Sequence, residues 1–96
     1  MSNFTFDGVV LKYGGKTIAN IRGDSIREGT GSHVVANIRG EQIREGTGSH
    51  TLFNVKGDEI RSGTGSSRIA RMNEVDADIR GPGHIVKAAL WLFFCR

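Results

Sequence analysis

Cysteine occurs once in the 96 residues, as Cys95. An internal disulfide is therefore excluded, and one Cys with His33, His50 and His84 does not make up the donor set of a structural zinc. Charge of neither sign dominates: 13 Lys and Arg stand against 10 Asp and Glu, a net charge of +3, with no basic run among them. Aromatics are only 7% of the chain, so the basic stripe and stacking rings of a nucleic-acid binder are both missing. The longest apolar stretch, Ala88 to Cys95, falls far short of the ~20 residues that span a bilayer. "MSNFTFDG" has neither the basic start nor the apolar run of a signal peptide. The expectation is a cytoplasmic chain with neither nucleic acid nor membrane among its partners.

Catalytic constellations are also missing. No Ser–His–Asp series, carboxylate pair or activated Cys emerges, so no enzyme activity and no cofactor is expected. "Gly-Gly-Lys-Thr" at 14–17 resembles the end of a phosphate-binding loop. The first glycine of that pattern would fall at Val10, however, and Thr17-Ile18 reads as the start of a strand, not a helix. His33 and His50 are equivalent and His84 roughly so, but Ser67 breaks the series, and they read as loop residues carried along by duplication.

What the chain does have is repetition. "ANIRGDSIREGTGSHVV" is followed at once by "ANIRGEQIREGTGSHTL" and then by a looser third copy, a period of 17 residues. Units fall at about 19–35, 36–52, 53–69 and a degenerate 70–86, after an N-terminal half-unit at 3–18 and before an apolar tail at 84–96. Fourteen glycines lie in phase with the units and mark turns. Within a unit the apolar spacing is two, the period of a strand: Thr17, Ala19 and Ile21 point one way, Ile18, Asn20 and Arg22 the other. Gly23-Asp24, Gly40-Glu41 and Gly57-Asp58 predict type II′ hairpin turns that pair Ile21 with Ile26. An odd period would turn alternate units inside out. One connection per unit must therefore be odd or bulged, and Gly-Thr-Gly (29–31, 46–48, 63–65) is the expected place.

The fold class expected is all-β with at most one short C-terminal helix: a closed barrel-like or flower-like ring of 17-residue antiparallel hairpins forming a single domain. The inner layer would be Ile21, Ile38, Val55 and Met72 with Ile26, Ile43, Ile60 and Ile79. The tail would begin as a turn or short helix, then run as a strand closing the sheet against Phe4 to Phe6. A second apolar column, Ile18, Val35, Leu52 and Ile69, would be covered by strand twist and the tail, or form an oligomer contact together with Trp91 and Phe93. Arg27, Arg44 and Arg61, with Arg22 and Arg39 beside them, form either a cross-strand ladder with Asn20, Asn37, Asn54, Glu28 and Glu45, or a guanidinium row that grips a small anion. Asp76 and Asp78 would keep the irregular edge soluble.

The repeated phrase "ANIRGDSIREGTGSHVVANIRGEQIREGTGS" with its apolar tail resembles small bacterial proteins described as β-flower proteins, over Ile18 to about Phe94. In style the chain is also similar to the short orphan proteins carried by mobile bacterial DNA. The resemblance implies hairpins repeated about an axis, four or five in number, and carries over no catalytic residue. The function expected is a non-enzymatic β-repeat module that self-associates or binds a protein partner. The alternative is binding of a small anionic ligand such as a phosphate, nucleotide or sugar acid.

Overall fold

A computed structural model describes residues 4–95. Asn3, at the start of the half-unit, and Arg96, at the end of the tail, lie outside the described residues. The duplicated text folds as expected into two-stranded ribbons. These are β3 (Lys16–Arg22) with β4 (Ser25–Glu28), β5 (Val34–Arg39) with β6 (Gln42–Glu45), and β7 (Thr51–Lys56) with β8 (Glu59–Ser62). Their registers repeat: Ile21 faces Ile26, Ile38 faces Ile43, and Val55 faces Ile60. Gly23, Gly40 and Gly57 open the turns at φ of +60°, +61° and +62°, while Asp24, Glu41 and Asp58 keep negative φ. That combination belongs to a type II′ turn, which only glycine enters without strain.

The odd period is absorbed by a bulge, but not at Gly-Thr-Gly. Ile26 faces Ala36 and Arg27 faces Val34, so Val35 is the extra residue; Leu52 and Ile69 are skipped in the same way. Ile18 is skipped between β3 and β2 (Val10–Tyr13). The glycines shape the loop instead. In the first unit the Gly31 N–H donates to the Glu28 carbonyl and the Glu28 N–H to the His33 carbonyl. One inserted residue per unit keeps Ile21 and Ile38 on one face and adds bend and twist to the strand. The second apolar column is thus the set of bulge residues, and Ile18, Val35 and Ile69 pack, half-buried, against the core.

With β1 (Phe4–Phe6), β9 (Arg68–Arg71) and β10 (Ile79–Arg80), the strands of the described residues number ten and form one sheet in the order β10-β1-β2-β3-β4-β5-β6-β7-β8-β9. Two expectations are corrected at its ends. The sheet is open: β9 (Arg68–Arg71) and β10 (Ile79–Arg80) are its edges, and α1 (Met72–Asp78) packs against both. The outer partner of β1 (Phe4–Phe6) is β10, in parallel, rather than the tail. The cause lies in the fourth unit, where "MNEVDAD" replaces the Gly-Asp turn. The Met72 N–H still donates to the Asp58 carbonyl, as Ile38 does to Asp24, but a helix begins there, with the Glu74 carboxylate accepting the Arg71 N–H at 2.8 Å.

The tail is helical from Ile85 to Cys95, not a strand at its end: α2 (Ile85–Leu90) continues into a π-helical turn, Trp91–Cys95. Lys87, Ala88, Ala89, Leu90 and Trp91 are all buried. Successive helical residues point about 100° apart, so consecutive buried positions mean a helix enclosed on all sides. Leu11, Ile26, Ile43, Ile60 and Ile79 surround this interior, each 0% exposed. Val55 and Met72 join them as expected, whereas Ile21 and Ile38 are only half-buried. Gly81, at φ +137°, lies so close to β1 that a Cβ there would collide with the Phe6 carbonyl.

Candidate functional site: the outer face of the hairpins

Alternation sends Asn20, Arg22, Ser25 and Arg27 to the face opposite the core, and the same holds in the next two units. Asn20 faces Arg27, Asn37 faces Arg44, and Asn54 faces Arg61, as the ladder requires. The amides have other work, however. Asn20 Nδ2 donates to the carbonyls of Gly29 (2.7 Å) and Gly31 (3.3 Å). Asn37 does the same to Gly46 and Gly48, and Asn54 to Gly63 and Gly65. The asparagines hold the Gly-Thr-Gly loops and do not pair with arginine.

The arginine acceptor lies two residues earlier on the same strand. Arg44 donates from Nε and Nη2 to Gln42 Oε1 at 3.3 and 3.0 Å, and Thr51 Oγ1 donates to the same oxygen. Arg61 donates from the same two atoms to Glu59 Oε1 at 3.1 and 2.7 Å. That bond, with the nearby charges of Arg61, Arg68 and Arg71, holds the Glu59 carboxyl below its ordinary pKa. Glu28 and Glu45, expected beside the arginines, are exposed and join no ion pair among the described residues. In the first unit Ser25 occupies the acceptor position, and Arg27 Nε is buried with no hydrogen-bond partner.

The five arginines are not gathered into one site. Arg22 and Arg27 belong to the first hairpin, Arg39 and Arg44 to the second, and Arg61 to the third; Arg22 and Arg39 are exposed, the others half-buried. A cleft of about 500 Å³ opens beside Arg61, lined by Glu41, Gln42, Asn54, Lys56 and Thr64 among others.

Of the apolar candidates, Leu52 is half-buried like the other bulge residues, and Phe93 stands edge-on to Phe53 with ring centroids 6.3 Å apart. Trp91 is corrected: it is an inside residue at 7% exposure, and its Nε1 donates to Asp78 Oδ2 at 2.6 Å. Asp76 and Asp78 likewise do more than solubilise an edge. Asp76 Oδ1 lies 2.8 Å from Nζ of the buried Lys87, which also donates to the Gly81 carbonyl at 2.9 Å. No local signal marks that pair, since its partners are 11 residues apart and meet only through the α1–α2 contact.

His33, His50 and His84 are exposed, and no group of three or more His, Cys, Asp or Glu side chains among the described residues could hold a metal ion. Lys16 and Thr17 lie in β3. Burial, then the charge of Asp78, pushes the Cys95 thiol up to about 12, the opposite of an activated nucleophile. No helix among the described residues is long and apolar enough to cross a membrane. Comparison with protein-family models, curated proteins and solved structures found no match to the chain.

Proposed function

We propose that this protein is a non-enzymatic β-repeat module that acts by association, chiefly with a second copy of itself. One observation carries the reading: the enclosed helix emerges into a turn whose Leu92, Phe93 and Phe94 side chains pack against the core yet keep part of their surface accessible. Neighbouring apolar side chains that keep accessible surface are the material from which interfaces of soluble proteins are built. Supporting it, the polar groups that the repeat duplicates are spent on the fold, the asparagines on loops and two of the arginines on their own strand. The same reading takes the chain as β-flower-like, with hairpin units set around α2 and the fourth unit's turn exchanged for α1. Light scattering across a concentration series tests the function. The expected result is a concentration-dependent oligomer that Phe94→Asp returns to monomer. A wild-type chain that stays monomeric at the highest concentration would overturn the reading.

A second reading, binding of a small anion on the outer face, is favoured by the buried Arg27 Nε, which has no acceptor among the described residues.

A further inference from the structure

Three arginines occupy equivalent places on three equivalent strands, and among the described residues only two have an acceptor for Nε. Gln42 Oε1 and Glu59 Oε1 each take the Nε and Nη2 hydrogens of the arginine two residues on. Ser25 is too short for that role, and Arg27 Nε is left buried without a partner. An unmade bond to a buried charged donor is costly, so an acceptor brought from outside gains what the other units gain internally.

The surroundings differ in the same direction. In the third unit Asn54 faces Gln42, and the Val55 N–H donates to the Glu41 carbonyl, so Gln42 and Glu41 line the cleft beside Arg61. In the first unit the corresponding neighbours are Val10, which faces Asn20, and Val9, whose carbonyl accepts the Ile21 N–H. The carboxylate and amide of the third unit's wall are thus replaced by two valines. Arg22, across the strand pair from Ser25, adds an exposed cation on the same face. Asp7, just before, spends Oδ1 on the N–H groups of Val9 and Val10.

We infer that Arg27, with Arg22, forms an oxyanion site on the outer face of the first hairpin. There a carboxylate or phosphate oxygen takes the position that Gln42 Oε1 and Glu59 Oε1 hold in the next units. The inference rests on the anion-binding reading and assigns it a place. A fork-shaped guanidinium favours a planar or tetrahedral oxyanion over chloride.

Ser25→Glu supplies the missing internal acceptor and so competes with the ligand. Melting temperature and the Arg27 Nε–H resonance are followed while inorganic phosphate, or acetate in a parallel arm, is exchanged for chloride at constant ionic strength. Wild type is expected to melt higher and to shift its Arg27 resonance with at least one of the two; which one does so distinguishes phosphate from carboxylate. S25E is expected to melt above wild type in chloride and to bind the same anion at least tenfold more weakly. If S25E responds to the anion as wild type does, the site assignment fails while anion binding stands. If wild type responds to neither anion, both fail.

Discussion

Glu59 and Gln42 perform one task with different chemistry, and the difference is measurable. Both accept two hydrogens from the arginine two residues on, but only Glu59 titrates. Its pKa is lowered in the fold, chiefly by the Arg61 hydrogen bond, so its contribution to stability is complete above the unfolded carboxyl value of about 4.3. It is lost as pH falls through the folded value. Glu59→Gln copies the second unit and is expected to stay folded at pH 7 and to lose less stability on acidification than wild type, read from urea midpoints at pH 7 and pH 3. An unchanged acid limb would show that the ion pair contributes nothing there. At this scale the sequence was half legible. The duplicated Arg and Asn were visible, and so was their pairing across the strands. What Asn20, Asn37 and Asn54 bond was not, because an amide chooses among nearby acceptors and the loop carbonyls of Gly29 and Gly31 exist only once the loop has folded.

At the level of elements, α1 and α2 meet through an ion pair of which only the Lys87 half is buried. The side chain of Lys87 is 5% exposed and that of Asp76 is 58% exposed. Removing the carboxylate strands a buried ammonium with only the Gly81 carbonyl, whereas removing the ammonium releases Asp76 to water. Asp76→Asn is therefore expected to destabilise by about 1–3 kcal/mol, and Lys87→Met, of similar length and apolar, by less. Chemical denaturation of the two variants checks the order; equal losses would refute it. The strands were legible because a period of two and a Gly-Asp turn are local signals. The helix α1 was not. Met72, Val75 and Ile79 are all buried, but with only about two helical turns of pattern the segment reads as a worn copy of the hairpin. The bulge was required by parity, yet its place fell on Val35 rather than the glycines. Parity counts inserted residues and is blind to where along the ribbon they sit.

For the whole molecule, the tail contributes an unbroken run of buried residues, Lys87 to Trp91, to the interior. Leu90 and Trp91 lie at 0% and 7% exposure inside the curled sheet. Losing either to alanine in such a setting costs about 2–5 kcal/mol, against a total stability of about 5–15 kcal/mol for a domain. A chain ending at Gly83 is accordingly expected to lose cooperative unfolding by circular dichroism and to bind a hydrophobic dye; a sharp, wild-type-like transition would mean that the sheet holds without its plug. The sequence by itself determined the hairpins, their turns, the shared facing of Ile26, Ile43 and Ile60, and the need for one extra residue per unit. All of these follow from side-chain alternation and glycine's access to positive φ, which act over a few bonds. Only the tertiary structure decided that the sheet stays open at α1, that β10 rather than the tail pairs with β1, that the tail enters as an enclosed helix, and that Arg27 Nε finds no acceptor among the described residues. Those outcomes depend on which distant surfaces meet, and a contact between residues far apart in the chain leaves no periodic trace in it.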